Sequence, residues 1–146
     1  MREEYASVRD DATLDEAFRA LRDIRVKQPD ANFVLVFSEK NEFIGILTMW
    51  DLIQCMGPRL LKEPVLADRE VDWDQAFGQA CRHCSQVNIS DVEAVVPVLK
   101  PNDPVLRALE VFLSYRRSRA VVEEGGKILG VVTVADLFRE IARSLP

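Results

Sequence analysis

Residues 45–52 read Gly45-Ile46-Leu47-Thr48-Met49-Trp50-Asp51-Leu52, and residues 130–137 read Gly130-Val131-Val132-Thr133-Val134-Ala135-Asp136-Leu137. Gly, Thr, Asp and Leu coincide, and three of the other four pairs exchange one apolar residue for another. An internal repeat of this kind decides the fold before local propensity does. Outward from it, Val34-Leu35-Val36-Phe37 precedes Gly45 as Arg119-Ala120-Val121-Val122 precedes Gly130, with an offset of 85. Each of these runs ends in a polar turn followed by an apolar pair, Phe43-Ile44 or Ile128-Leu129. Gly125-Gly126 is a two-residue hairpin signal, because both positions tolerate positive φ. Lys40-Asn41 stands in its place in the first copy. Each copy is therefore expected to hold an antiparallel hairpin of two short, largely buried strands.

A helix precedes each hairpin. Thr13-Leu14-Asp15-Glu16 is a capping box, followed by Leu14, Ala17, Phe18 and Leu21 at helical spacing. In the second copy Asp103 can cap, with Pro104 at the first helical position. Val105, Ala108, Leu109 and Phe112 repeat the stripe. The offset here is 91, so six extra residues of the first copy fall around Lys27-Gln28-Pro29-Asp30, read as a loop. Short extended pieces, Ala6-Ser7-Val8 and Val96-Pro97-Val98-Leu99, come before the helices. Second helices follow the Asp residues, at about 52–56 and 137–145. The expected fold is α/β (α+β): a β-α-β-β-α unit present twice. One copy alone is small for independent stability, so the two are expected to pack sheet to sheet about a shared core. The predicted divisions are 1–56, a linker 57–89 and 90–146. In the linker, Trp73, Ala76, Phe77, Ala80, Cys81, Cys84 and Val87 form one apolar stripe behind an expected Asp72 cap.

Composition narrows the function classes. Lys and Arg number 19 against 24 Asp and Glu, a net charge of −5, which argues against a nucleic-acid partner needing a basic face. No stretch free of charged residues exceeds eight, far short of the roughly 20 apolar residues of a membrane helix. Met1-Arg2-Glu3-Glu4 has no apolar signal region, so a cytoplasmic chain with Cys55, Cys81 and Cys84 as reduced thiols is expected. Cys81-Arg82-His83-Cys84 offers at most three ligands, pointing different ways on a helix, so no metal is expected. Burial of both cysteines on the stripe is the reading adopted. His83 is the single histidine and lies in no catalytic pattern; the chain is not expected to be an enzyme.

The doubled Gly-h-x-Thr-x-x-Asp, where h is apolar, resembles a tandem pair of cystathionine-β-synthase (CBS) domains, often called a Bateman module. Asn88-Ile89-Ser90-Asp91-Val92 also resembles the short lead-in to such a domain. The resemblance covers about 5–56 and 90–146. It implies two repeats about a pseudo-twofold axis, with clefts taking adenosine-containing ligands: AMP, ADP, ATP, S-adenosylmethionine or a dinucleotide. It implies that Thr48 and Thr133 meet phosphate or ribose oxygen, and that Asp51 and Asp136 accept from ribose hydroxyls. Ile46 and Val131 accompany them in the motif, and strands near Val8, Val98, Leu35 and Ala120 are implied to wall the base. Arg117 and Arg119, in Arg116-Arg117-Ser118-Arg119, border a cleft on the family template, where a guanidinium can fork onto phosphate. Family members that bind nucleotides often carry a basic residue before the Asp. Trp50 and Ala135 stand there instead, which implies a monophosphate or nucleoside, AMP foremost. The implied role is a sensor acting on a separate regulated protein.

The residues fit that chemistry without the family name. A helix start presents unpaired N–H groups and partial positive charge, a seat for phosphate. An ionised carboxylate only accepts, matching ribose hydroxyls. Thr-x-x-Asp at a helix start is equally a capping box that needs no ligand, and the arginines are equally a solvated surface. A second functional reading is a ligand-free association module, a homodimer formed through the second helices: Leu52, Ile53 and Met56, with Leu137, Phe138 and Ile141. Trp50 is read as core or interface.

Overall fold

A computed structural model describes residues 4–56, 72–91, 98–115 and 119–146. They fall into two compact units, one within residues 6–94 and one formed by residues 4–5 with those within 95–146. The first contains β1 (Ala6–Arg9), α1 (Leu14–Lys27), β2 (Phe33–Phe37), β3 (Phe43–Thr48), α2 (Met49–Gln54) and α3 (Trp73–His83), then two 3₁₀ turns. The second contains β4 (Val98–Leu99), α4 (Val105–Tyr115), β5 (Arg119–Glu124), β6 (Lys127–Thr133) and α5 (Val134–Ser144). Both sheets have three strands in chain order, the first pair parallel and the second antiparallel. The expected β-α-β-β-α unit is thus present twice.

In the first unit α1 buries Leu14, Ala17 and Leu21 against Val34, Val36, Leu47 and Leu52. Its capping box forms as expected, with the Thr13 N–H donating to Glu16 Oε2 at 3.1 Å. The helix runs through Lys27, so part of the expected loop is helical: α1 has 14 residues against 11 in α4. Asn41 takes φ 61° in the first hairpin turn, where Ser38 Oγ accepts from the Lys40 and Glu42 N–H groups. Gly125 and Gly126 take φ 59° and 82° in the second, as a primed two-residue turn requires. The motif glycines are used differently. Gly45 lies opposite Val36 and Gly130 opposite Val122, and in both hairpins the register shifts at the next residue. A glycine beside a β-bulge admits the bend without a side-chain clash.

Strand alternation gives each sheet two faces. Val34, Val36 and Leu47 point at the helices in the first unit, as do Ala120 and Val122 in the second. Phe33, Leu35, Ile46, Val121 and Val131 are as deeply buried but belong to neither helix-packed cluster. These alternate with the first set along the strands and so line the faces turned away from the helices.

Four expectations are corrected by the packing. The second helices begin at Met49 and Val134, directly after the Thr caps rather than three residues later. On α4 Val111 and Phe112 are buried and Ala108 and Leu109 partly so, with Val105 left exposed, because the helix rests on its later turns. The stripe of α3 is not buried: Trp73, Phe77 and Cys81 are exposed and no residue of the helix is in the core. Amphipathic spacing records an apolar face, not a partner for it. Finally, Leu52 and Leu137 lie buried in the cores of their own units and are not free for association, while Met56 is partly buried against the first core.

The segment Asn88-Ile89 joins the first unit. Asn88 bridges Thr13, the Leu14 N–H donates to Val87 O at 2.8 Å, and the Ile89 N–H to Ala12 O at 2.9 Å. Cys84 and Ile89 are buried in that core.

Truncating the fully buried Leu52 side chain, Leu52→Ala, should cost about 2–5 kcal/mol in urea unfolding of the full chain. Ile53→Ala, on the exposed face one residue on, should change stability by no more than about 0.5 kcal/mol. Equal losses at the two positions would mean that α2 is seated on a different face.

Candidate functional site

Each motif stands where an extended strand turns into a helix. Thr48 closes β3 with extended φ/ψ and caps α2. Its hydroxyl accepts from the Asp51 N–H at 3.1 Å, and its own N–H donates to Asp51 Oδ2 at 2.8 Å. Thr133 caps α5 in the same way: the Asp136 N–H donates to Thr133 Oγ1 at 3.3 Å, and the Thr133 N–H to Asp136 Oδ2 at 2.9 Å. Both pairs are half-buried. The capping reading is therefore realised at both helix starts. In the first unit another start group is spoken for, the Met49 N–H donating to Asn32 O at 2.7 Å.

The second box carries more. The Thr133 hydroxyl donates to Asp136 Oδ2 at 3.1 Å, and Arg139 Nη1 lies 3.5 Å from Asp136 Oδ1. Burial pushes the Asp136 carboxyl upward, but the Thr133 hydrogen bonds and the Arg139 charge outweigh it and hold the group below the usual carboxylate range.

The remaining expected site residues divide by face. Leu35 and Ile46 are cross-strand partners on the face away from the helices. Val98 is in register with Val121, which in turn faces Val131. Arg119 is the strand partner of Thr133, which puts an arginine directly across the ladder from the motif hydroxyl. In the first unit Phe33 occupies that place, opposite Thr48. Val8 and Ala120 are not brought into this set: both pack in the helix-side clusters. Arg117, with Arg116 and Ser118, lies outside the described residues.

The reason for the Ala120 discrepancy is a one-residue difference in turn length. Val36 and Val122 are the structural equivalents, each facing its motif glycine, so Leu35 corresponds to Val121 rather than Ala120. A slip of one residue exchanges the faces of a strand. The missed residues Phe33 and Val121 were signalled by the tighter Gly125-Gly126 turn, which brings the second strand to its glycine one residue sooner.

The cysteines do not form a site. Cys81 is exposed, Cys84 is buried and Cys55 is half-buried, so the expected burial holds for only one of the linker pair. Burial pushes the Cys84 thiol up, helped by the nearby Cys81 and Asp15, and pushes the Cys55 thiol up, helped by Asp51 and Cys84. His83 Nδ1 lies 3.0 Å from Gln86 Oε1. Among the described residues there is no group of three metal-ligating side chains, and no helix long and apolar enough to cross a membrane.

The model of the CBS domain matches residues 1–57 and again 89–143. The chain belongs to the CBS-domain family. It is a tandem CBS pair, and such pairs are generally regulatory modules rather than enzymes. No curated protein matches the sequence. Among solved structures, a CBS-domain containing protein of Agrobacterium tumefaciens superposes with TM-score 0.65 at 19% identity, over 94% of this chain and 84% of that one. A CBS domain-containing protein of unknown function from Kribbella flavida gives 0.66 at 19%, over 97% and 95%. The CBS domain of a bacterial CNNM/CorC family Mg2+ transporter, in complex with ATP, gives 0.63 at 18%, over 97% and 82%. At these identities the likeness is one of fold. The second match begins at residue 89, so Ile89 opens the second repeat by sequence while packing in the core of the first unit.

Two measurements follow from the site. Because Asp136 is held low, its stabilisation is complete above about pH 4, the ordinary carboxylate range, and is lost as pH falls through the folded value. Asp136→Asn should therefore flatten the acid limb of the melting-temperature profile below about pH 4; unchanged steepness would remove the carboxylate from the box. In the folded chain, Cys81 should be alkylated first and Cys84 last, as read by mass spectrometry of peptides. Equal rates would contradict the burial of Cys84.

Proposed function

We propose that this CBS pair is a regulatory module that binds an adenosine-containing ligand, AMP foremost, and passes its state to a separate protein. The observation that carries the reading is the duplication of one local device. In both repeats a half-buried hydroxyl and carboxylate are locked together at a strand–helix junction, beside a buried apolar sheet face. The relative solved with ATP supports an adenine nucleotide as the ligand class. The capping bonds and the ligand role are compatible, since an ionised carboxylate offers about four acceptor sites and the box orients it rigidly. A ribose edge would donate to Asp51 or Asp136. At the second repeat, Arg119 and the start of α5 would receive a single phosphate. Trp50 and Ala135, in place of a cation before each Asp, favour the monophosphate over longer chains. The functional unit is read as a homodimer: Trp50, Ile53, Phe138 and Ile141 leave apolar side chains in solvent on α2 and α5.

A thermal-shift and calorimetric panel of AMP, ADP, ATP, S-adenosylmethionine and NAD tests the ligand class. AMP at 100 times its dissociation constant should add about 2.7 kcal/mol of stability. Arg119→Ala should weaken AMP by about 10-fold or more while leaving adenosine within about 2-fold, a charge-assisted contact being worth about 1.5–3 kcal/mol. If none of the five compounds shifts the transition, the ligand reading is wrong. If AMP and adenosine weaken equally, the phosphate does not meet Arg119.

A further inference from the structure

Helix α3, Trp73–His83, lies between the two matched stretches, 1–57 and 89–143, so the family pattern does not account for it. None of its 11 residues is buried, although Cys84, which follows it, is rooted in the first core. At about 100° per residue, Trp73, Ala76, Phe77, Ala80 and Cys81 share one side of the helix. The large members, Trp73 and Phe77, are 63% and 65% accessible. They occupy the first half of the helix, and the small members Ala80 and Cys81 the second. Charge is graded in the same direction. Asp72 caps the helix and Asp74 lies in its first turn, while Arg82 and His83 lie in its last. Among the described residues no ion pair engages Asp72, Asp74 or Arg82.

We propose that α3 is a self-recognition helix, packing antiparallel on α3 of a second copy of the chain across a two-fold axis near Phe77. Antiparallel packing matches both gradients. Trp73 of each helix rests on Ala80 and Cys81 of the other, large on small, and the two Phe77 rings meet at the axis. A tryptophan in a desolvated apolar seat is the common form of an interface anchor. The acidic start of each helix comes beside the basic end of the other. Asp72 and His83 lie on one flank of the helix, and this two-fold axis brings like flanks together at opposite ends. Each Asp72 carboxylate therefore meets the imidazole of the other copy. Parallel packing would set Trp73 on Trp73 and Asp74 on Asp74. A helix of 11 residues is about 16 Å long, and such a pair buries less than the roughly 1,200 Å² of a standard interface. The contact is therefore weak and concentration-dependent. It involves one helix of each copy and none of the residues on α2 or α5.

The test uses opposite charges at the axis. Phe77→Glu and Phe77→Lys each set like charges against one another in the pair, and an equimolar mixture of the two sets opposite charges there. Phe77 is exposed, so both variants should keep the far-ultraviolet spectrum and melting temperature of the parent chain. Sedimentation velocity of the full chain, from about 1 µM to about 1 mM, should show an association step. Either variant alone should weaken that step at least about 10-fold in dissociation constant, as should Trp73→Ala. The mixture should associate at least about 10-fold more tightly than either variant alone. Alkylation of Cys81 should slow as the parent chain is concentrated, and should not do so in Phe77→Glu. A homodimer formed elsewhere shows as a step that all the variants retain. A parent chain with no step sensitive to Phe77→Glu overturns the proposal. So does a mixture no tighter than its components, or a Cys81 rate independent of concentration.

Discussion

The reciprocal bonding of a threonine and an aspartate across three residues is the constraint on which the rest depends. A strand that ends abruptly in a helix exposes unpaired N–H groups at the junction, and a half-buried junction cannot leave them to water. Thr48 with Asp51, and Thr133 with Asp136, answer two of these needs at once. By fixing the first helical residue, the box also fixes the phase of the helix. Leu52 and Leu137 then turn into the cores, while Trp50 and Phe138 turn out. A helix begun one residue later would rotate by about 100° and reverse those assignments.

That constraint bears on how function is read from the motif. The pair closes the helix start and fixes the carboxylate, so the capping role and the proposed binding role do not compete for it. Specificity has to come from what surrounds the box, and there the two repeats differ. Across the ladder from Thr48 lies Phe33, an aromatic ring; across from Thr133 lies Arg119, a cation. Asp136 has Arg139 one turn on, while the corresponding place after Asp51 is Gln54. One scaffold therefore sets two chemically unlike surroundings beside the same box.

Much of this was legible in the sequence because the repeat supplies its own control. The order of elements, the Thr13 capping box, the Gly125-Gly126 turn and the Thr caps all follow from local rules that hold wherever the chain goes next. The misreadings have a common cause, which is that they turned on packing. Aligning the copies by a constant offset placed Ala120 opposite Leu35, but the second hairpin turn is a residue shorter, and Val121 holds that place. The spacing of Trp73, Phe77 and Cys81 marked a true apolar face, yet only the 3₁₀ turn beyond it, at Cys84, enters the core. Nothing local to Val87 or Ile89 announces that they hydrogen-bond back to Leu14 and Ala12 on either side of the Asn88–Thr13 bridge, because the partner lies more than seventy residues earlier.

The unequal hairpin turns have a kinetic meaning. Gly125 and Gly126 connect β5 to β6 with two residues already in the left-handed region, whereas β2 and β3 are joined through Ser38, Lys40 and Asn41 in a wider bend held by side-chain bonds. A shorter connection loses less entropy on closing, and a ladder started at a matched turn zips on the microsecond scale. The second hairpin is thus expected to close first, whereas the core of the first unit is completed only by a contact from as far downstream as Ile89. On that expectation, order of synthesis and order of consolidation run in opposite directions along this chain.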